Sequence, residues 1–200
     1  MIMSNVHNLI LTPDNPCNTI ITDEETGKVM YRVVTEHGKK AVTKVENSSG
    51  ELIASWEWRD VRSDIITLGS GKPMSMSSWL RKSMVPFKDT VYLDDGHGRK
   101  LKWKGNGPGL GLELFAEGDK QNPVARFSKS SKRQDRTVDP PKAVVSPAQL
   151  FTDSRGEDIR DLIVISFLAL EKVRRTTEAS TMNRADALTV PPLMSVQLGS

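Results

Sequence analysis

The sequence predicts a mainly β domain: a closed antiparallel barrel of about twelve strands surrounding one buried C-terminal helix. The first observation is a series of short runs, rich in β-branched and aromatic residues and separated by turn residues, that continues to about residue 150. The second is the segment 162–170, LIVISFLAL, in which only Ser166 is not apolar. A helix that is apolar on every side belongs inside a protein. About twelve strands are too many for an open twisted sheet, so we expect the sheet to close around this helix.

Turn residues separate the predicted strands. These strands are 7–12, 18–22, 28–36, 39–46, 51–58, 63–68, 72–76, 90–94, 99–104, 110–116, 123–128 and 142–150. Asp95-Gly96 is the strongest hairpin signal, because this pair favours the backbone of a tight β-turn. Ser77 begins a short helical turn over 77–82, the polar segment 129–139 is an exposed loop, and Pro147 marks the last strand as an edge or bent strand.

One domain is predicted over residues 1–176, with its central helix at 157–175 and a disordered tail at 177–200. Ser154 and Glu157 have the spacing of a capping box, which places the start of the helix near Ser154. The tail contains Pro191-Pro192 and small residues without periodicity.

Composition favours a reduced compartment. The chain has 200 residues, 37% of them apolar, a formal net charge of +3 and one cysteine, Cys17. A single thiol forms no internal disulfide and no cysteine-rich metal site. The first residues lack the basic and apolar regions of a signal peptide. We therefore predict a cytoplasmic protein, peripheral to membranes and without a transmembrane segment, cofactor or metal.

Five segments carry a resemblance to a known fold. They are LTPDNPCNT, GELIASWEWRDVRSD, GRKLKWKG, PVARF and DLIVISFLALEKVRR, within residues 8–175. With these, the chain resembles a family of small fungal tubby-like domains with no established activity. The resemblance implies the superfold shared by tubby C-terminal domains, LURP-one-related proteins and phospholipid scramblases, a twelve-stranded barrel threaded by a hydrophobic helix. Tubby domains bind phosphoinositides and scramblases act at membranes, which is a likeness of fold and assigns no site residue here.

The strand 99–104, RKLKWK, carries the first candidate site. Alternation along a strand places Lys100, Lys102 and Lys104 on one face, about 7 Å apart, with Leu101 and Trp103 on the other. Such a positive ridge suits phosphates of a lipid headgroup or a nucleic acid. The alternative is a solvated face that prevents edge pairing.

A second basic cluster lies nearby in the sequence. Arg81, Lys82 and Lys88 stand near Trp79 and Phe87, a pattern typical of insertion at a membrane interface. The alternative is a short helix packed on the mouth of the barrel. A third basic group lies at 129–136. It could act as an electrostatic tether, or it could be a solvated linker.

Asp94, Asp95 and His97 are the candidates for catalysis. Together they could serve as general acid and base or as metal ligands, but Gly96 and Gly98 between them are typical of hairpin geometry.

Three functions remain open from the sequence. The first is non-enzymatic binding of phosphoinositides or another anionic ligand through the basic face. The second is a small basic ribonuclease, or another enzyme that cleaves phosphodiesters, using His97 with Asp94 or Asp95. The third is a protein-interaction or assembly module that uses the tail or an unpaired strand.

Overall fold

The computed structural model describes residues 7–85, 88–107, 110–135, 137 and 142–189. Within this part of the chain, thirteen strands form one antiparallel sheet, two strands form a separate ribbon, and a long helix follows the last strand. The mainly β prediction with a C-terminal helix is therefore confirmed.

The strands are short and most lie where turn residues predicted them. The large sheet contains β1 His7–Thr12, β2 Thr19–Asp23, β3 Val29–His37, β4 Ala41–Asn47, β5 Leu52–Glu57, β6 Ile65–Leu68, β7 Met74–Ser75, β8 Arg81–Lys82, β9 Thr90–Asp94, β10 Lys100–Lys104, β11 Leu112–Ala116, β12 Ala125–Ser128 and β15 Ala148–Thr152. The separate ribbon contains β13 Ser131–Asp135 and β14 Lys142–Ser146.

The sheet is open, so the prediction of a closed barrel is wrong. Its order is β7-β6-β5-β4-β3-β2-β1-β15-β12-β11-β10-β9-β8, which leaves β7 and β8 as the two edges. These edges follow one another in the chain and are joined by the short helix α1, Met76–Trp79. Each edge strand has only two residues. A four-residue helix thus stands at the place where hydrogen bonds between strands would have closed the sheet, and we call this place the seam.

The prediction of a buried helix is confirmed. Helix α2, Arg160–Thr189, is buried at every position from Ile163 to Glu171. On one side the Tyr31 hydroxyl of β3 donates a hydrogen bond to Asp161 at 2.6 Å. On the other side, Phe127 of β12 packs on Phe167 with ring centroids 4.4 Å apart. Because β3 and β12 lie on opposite sides of β1 in the sheet order, the sheet must curve around the helix.

The helix begins differently from the prediction. A 3₁₀ segment, Ser154–Ile159, precedes α2, and Asp153 caps it by accepting a hydrogen bond from the Arg155 N–H. The helix also continues to Thr189, so the predicted disordered tail is helical over 177–189, while 190–200 lie outside the described residues. At the short helix α1, the N-cap is Ser75 and not the predicted Ser77.

Two predictions around Pro147 are corrected. The segment predicted as a loop, 129–139, contains β13, and the single strand predicted over 142–150 is two strands, β14 and β15. Proline has no N–H to donate to a ladder, so the chain leaves the ribbon at Pro147 and enters the large sheet. There β15 lies between β1 and β12 and is not an edge strand.

A cluster of charges, which we call the collar, surrounds α2 directly after its apolar segment. Buried Glu171 accepts hydrogen bonds from Arg174 at 2.8 Å and from Arg175 at 2.7 Å. Lys129 lies 3.8 Å from the same carboxylate, and Arg175 also pairs with Asp14. The collar ties the helix to the loops after β1 and β12.

Candidate ligand-binding groove

An open groove of about 760 Å³ lies on the outer side of β8, β9 and β10. It brings together all six residues that the sequence indicated as ligand-binding, although they come from two separate segments. These are Lys100, Lys102, Lys104, Arg81, Lys82 and Lys88.

Strand β10 supplies the first three lysines by simple alternation. Its buried residues, Leu101 and Trp103, face the core, and the Trp103 indole N–H donates a hydrogen bond to the Ser166 hydroxyl of α2 at 3.0 Å. That contact fixes which face of β10 is internal. Lys100, Lys102 and Lys104 therefore point away from the core, as predicted.

Strand pairing brings the second cluster beside the first. Lys102 is directly opposite Tyr92 of β9, and Tyr92 is directly opposite Arg81 of β8. Residues opposite one another in neighbouring strands share a face of the sheet. Lys102, Tyr92 and Arg81 thus form one row across the groove, with an aromatic ring between two cations.

Local contacts position two of the lysines. The Lys104 ammonium lies 3.9 Å from the centroid of the Phe115 ring, a cation–π contact on the outer face. Lys100 lies 3.9 Å from the Glu117 carboxylate, an exposed ion pair of little strength.

The groove also has lining residues that the sequence did not indicate as ligand-binding. Lys120 and Glu117 lie just after β11 and line the groove, and Tyr92 lies in its floor. No sequence pattern indicates that a turn after β11 meets the loop before β9. Only the alternation of β9 could have shown that Tyr92 lies on the same face as the lysines.

The groove carries a large excess of positive charge. Among the described residues that line it, seven are Lys or Arg and one, Glu117, is acidic. Arg81, Lys82, Lys88, Lys102 and Lys120 form no ion pair with any described residue. Crowded cations without partners raise the local positive potential, particularly in a concave site.

The two carboxylates considered for catalysis accept backbone hydrogen bonds in the β9–β10 turn. Asp94 accepts a hydrogen bond from the Gly96 N–H, and Asp95 accepts hydrogen bonds from the N–H groups of His97 and Arg99, all at 2.8–2.9 Å. Desolvation raises the pKa of the Asp95 carboxyl, but the hydrogen bonds from Arg99 and His97 outweigh it and lower the pKa to about 2. A carboxylate with so low a pKa is a weak base at neutral pH.

The remaining predicted features are placed as follows. Phe87, which the sequence grouped with Arg81 and Lys82, lies outside the described residues, whereas Trp79 is buried in the core. In the third basic group, Lys129 pairs with Glu178 at 2.7 Å.

The described residues contain neither a metal-binding cluster nor a bilayer-spanning helix. No group of three or more His, Cys, Asp or Glu side chains is placed to hold a metal ion. No helix in this part of the chain has the length and apolarity needed to span a bilayer.

The fold and the groove define a class: a mainly β domain with a large antiparallel sheet, a buried C-terminal helix and one strongly basic open cavity. The chain belongs to DUF6593, a family of unknown function whose model matches residues 14–176. No curated protein and no solved structure matches the chain. Membership of this family assigns no activity to the chain, and the tubby-like relationship and fungal origin stay predictions.

Proposed function

We propose that this protein binds a phosphate-bearing anionic ligand, such as a phosphoinositide headgroup, in the basic groove and performs no covalent chemistry on it. The proposal depends on one observation above all: seven basic side chains against one acidic side chain around a cavity of about 760 Å³. The groove volume lies within the range usual for small-molecule sites.

The arrangement of the cations supports a ligand with more than one phosphate. Lys100 and Lys102 project from one strand, and Arg81 lies across Tyr92 from Lys102. One Arg side chain can donate two parallel hydrogen bonds to two phosphate oxygens, whereas Lys acts as a mobile point charge. A headgroup with two phosphates could therefore contact β10 and β8 at once.

The test compares vesicle binding of two triple variants that carry the same change of charge. In the site variant, Lys100, Lys102 and Lys104 are changed to Glu. In the control, exposed lysines outside the groove, Lys28, Lys39 and Lys72, are changed to Glu. Each cation near an anionic surface contributes about 1 kcal/mol, so the site variant should bind phosphoinositide-containing vesicles about a hundredfold more weakly.

Two further arms make the result decisive. Because Lys104 covers the Phe115 ring, a variant with Lys100 and Lys102 alone changed to Glu separates loss of binding from loss of packing. Wild-type protein should also bind a soluble inositol polyphosphate, measured by calorimetry, with an affinity that falls as salt is added. Unchanged binding in the site variant, or equal loss in the control, would contradict the proposal, and tighter binding of a single-stranded RNA would reassign the ligand.

A further inference from the structure

A second cavity lies where the sheet fails to close. It has a volume of about 450 Å³ and is bordered by α1, by β8 and β9, and by helix α2. Since β7 and β8 are joined by α1 rather than by hydrogen bonds, the wall around α2 is incomplete here. We call this cavity the seam pocket.

The inner walls of the seam pocket are mainly apolar. Met76, Leu80 and Val91 form one wall, and Leu170 and Val173 of helix α2 form the facing wall. Helical residues three or four positions apart share a face, so this wall is a continuous stripe of α2. Val173 is 36% exposed, although the helix residues from Ile163 to Glu171 are buried. Here a hydrocarbon group could contact the helix directly.

One polar atom in the seam pocket is left without a partner. The side-chain oxygen of Asn106 is buried and forms no hydrogen bond with any described residue. An unsatisfied buried acceptor costs about 1–3 kcal/mol. The apolar part of the lining is therefore the feature of the pocket that suits a hydrocarbon chain.

The seam pocket and the basic groove have one lining residue in common. Lys82 lines both cavities, and Arg59 and Arg62 add positive charge to the rim of the pocket. Lys172, which also lines the pocket, is paired with Asp64 at 2.6 Å. Arg59 pairs with Glu57 at 3.3 Å, which leaves Arg62 and Lys82 as the cations of this lining that form no ion pair with a described residue.

We propose that the two cavities form one site for a phosphorylated lipid, with the phosphates in the groove and one hydrocarbon chain in the seam pocket. This inference rests on the proposed function, and it identifies the source of the phosphate as a lipid rather than a soluble metabolite. Lys82 lies at the junction of head and chain.

The surface around the two cavities agrees with a lipid partner. Val61 is 96% exposed and precedes Arg62, which lines the seam pocket. Met84 is 98% exposed and lines the groove, two residues after Lys82. Apolar side chains that are almost fully exposed beside Lys and Arg are typical of surfaces that meet a bilayer interface.

The test measures how much the hydrocarbon chain of the lipid adds to the affinity of the protein for the headgroup. Calorimetry compares a soluble inositol polyphosphate with the same headgroup on a water-soluble eight-carbon lipid below its micelle concentration. Burying a few methylene groups should make wild-type protein bind the short-chain lipid at least about tenfold more tightly than the headgroup. Val173→Trp should fill the pocket and remove this difference, while leaving headgroup affinity unchanged.

The control is the same substitution at a comparable site. Val34→Trp changes a valine of β3 that is 43% exposed and lies outside both cavities, so the tenfold difference should persist. Thr176→Trp, at the exposed end of the pocket, repeats the block if Val173→Trp is unstable.

The outcomes separate the two proposals. Equal affinity of wild-type protein for the headgroup and the short-chain lipid would refute the hydrocarbon-chain site in the seam pocket. It would leave the proposal of phosphate binding in the groove standing. Survival of the difference in both Val173→Trp and Thr176→Trp, or its loss in Val34→Trp, would also overturn it. Failure of wild-type protein to bind the headgroup at all would refute the proposed function itself.

Discussion

The two parts of helix α2 are held in place by different forces. From Ile163 to Leu170 the helix is enclosed by side chains of the sheet, and its one polar side chain, Ser166, accepts the Trp103 N–H. From Glu171 onward it is held by the ion pairs of the collar and leaves one stripe open at the seam. The apolar part therefore holds the helix in the core by packing, and the charged part fixes its position by ion pairs and borders the open seam pocket.

Removing apolar volume from the enclosed part should have the largest effect. Phe167 is fully buried against Phe127, so Phe167→Ala should lower the free energy of unfolding by about 3–5 kcal/mol, measured by urea denaturation. Val173→Ala, on the same helix but facing the seam, should cost less than about 1 kcal/mol. Similar losses at both positions would show that the two parts of the helix do not differ.

Removing the central charge of the collar should have the next largest effect. Glu171→Gln keeps the shape but leaves buried Arg174 without its carboxylate, so we expect a loss of about 3 kcal/mol. The matched control is Glu36→Gln, which breaks an exposed pair with Lys44 and should cost at most about 1 kcal/mol. If the Glu171→Gln protein were as stable as the Glu36→Gln protein, the collar would stabilise the fold no more than an exposed ion pair does.

The smallest expected effect is a loss of stability at acidic pH. It should come from the ion pairs of the collar and not from the apolar part of the helix. Burial raises the pKa of the Asp14 carboxyl, but hydrogen bonds from Ser130 and Arg175 outweigh it, so the pKa lies below 3.8. A lowered pKa stabilises the fold above pH 3.8, and this contribution is lost as the pH falls through the lower folded value.

The difference in melting temperature between wild-type protein and Asp14→Asn should therefore shrink below about pH 4. Circular dichroism melts between pH 6 and pH 2.5 measure it. A difference that stays constant over this range would mean that Asp14 acts through its neutral hydrogen bonds alone.

Local patterns predicted the fold in detail wherever one strand and its turn decide the structure. Strand β9 and the Asp95-Gly96 turn lie where predicted, and Gly96 has the positive φ of +79° that such a turn requires. Closure of the sheet was wrongly predicted because it depends on whether β7 and β8 meet, which no local pattern determines. Strand β13 was missed because its polar residues have no alternation to signal a strand.

The candidate groove was predictable in parts but not as a whole. Alternation alone placed the three lysines of β10 on one face. Their meeting with Arg81 and Lys88 required the pairing of β8 with β9 and of β9 with β10, which are contacts between strands. Lys120 joined them from a turn that carries no signal of its position.

The sequence by itself determined the helix that must be buried, the strands that must cover it and the lysines that must face outward, because each follows from the periodicity of neighbouring residues. The tertiary structure alone decided that the sheet stays open, that two basic segments share one groove and that a pocket adjoins it at Lys82. The physical reason is that periodicity fixes the direction of a side chain relative to its own backbone, whereas cavities arise between segments that only folding brings together.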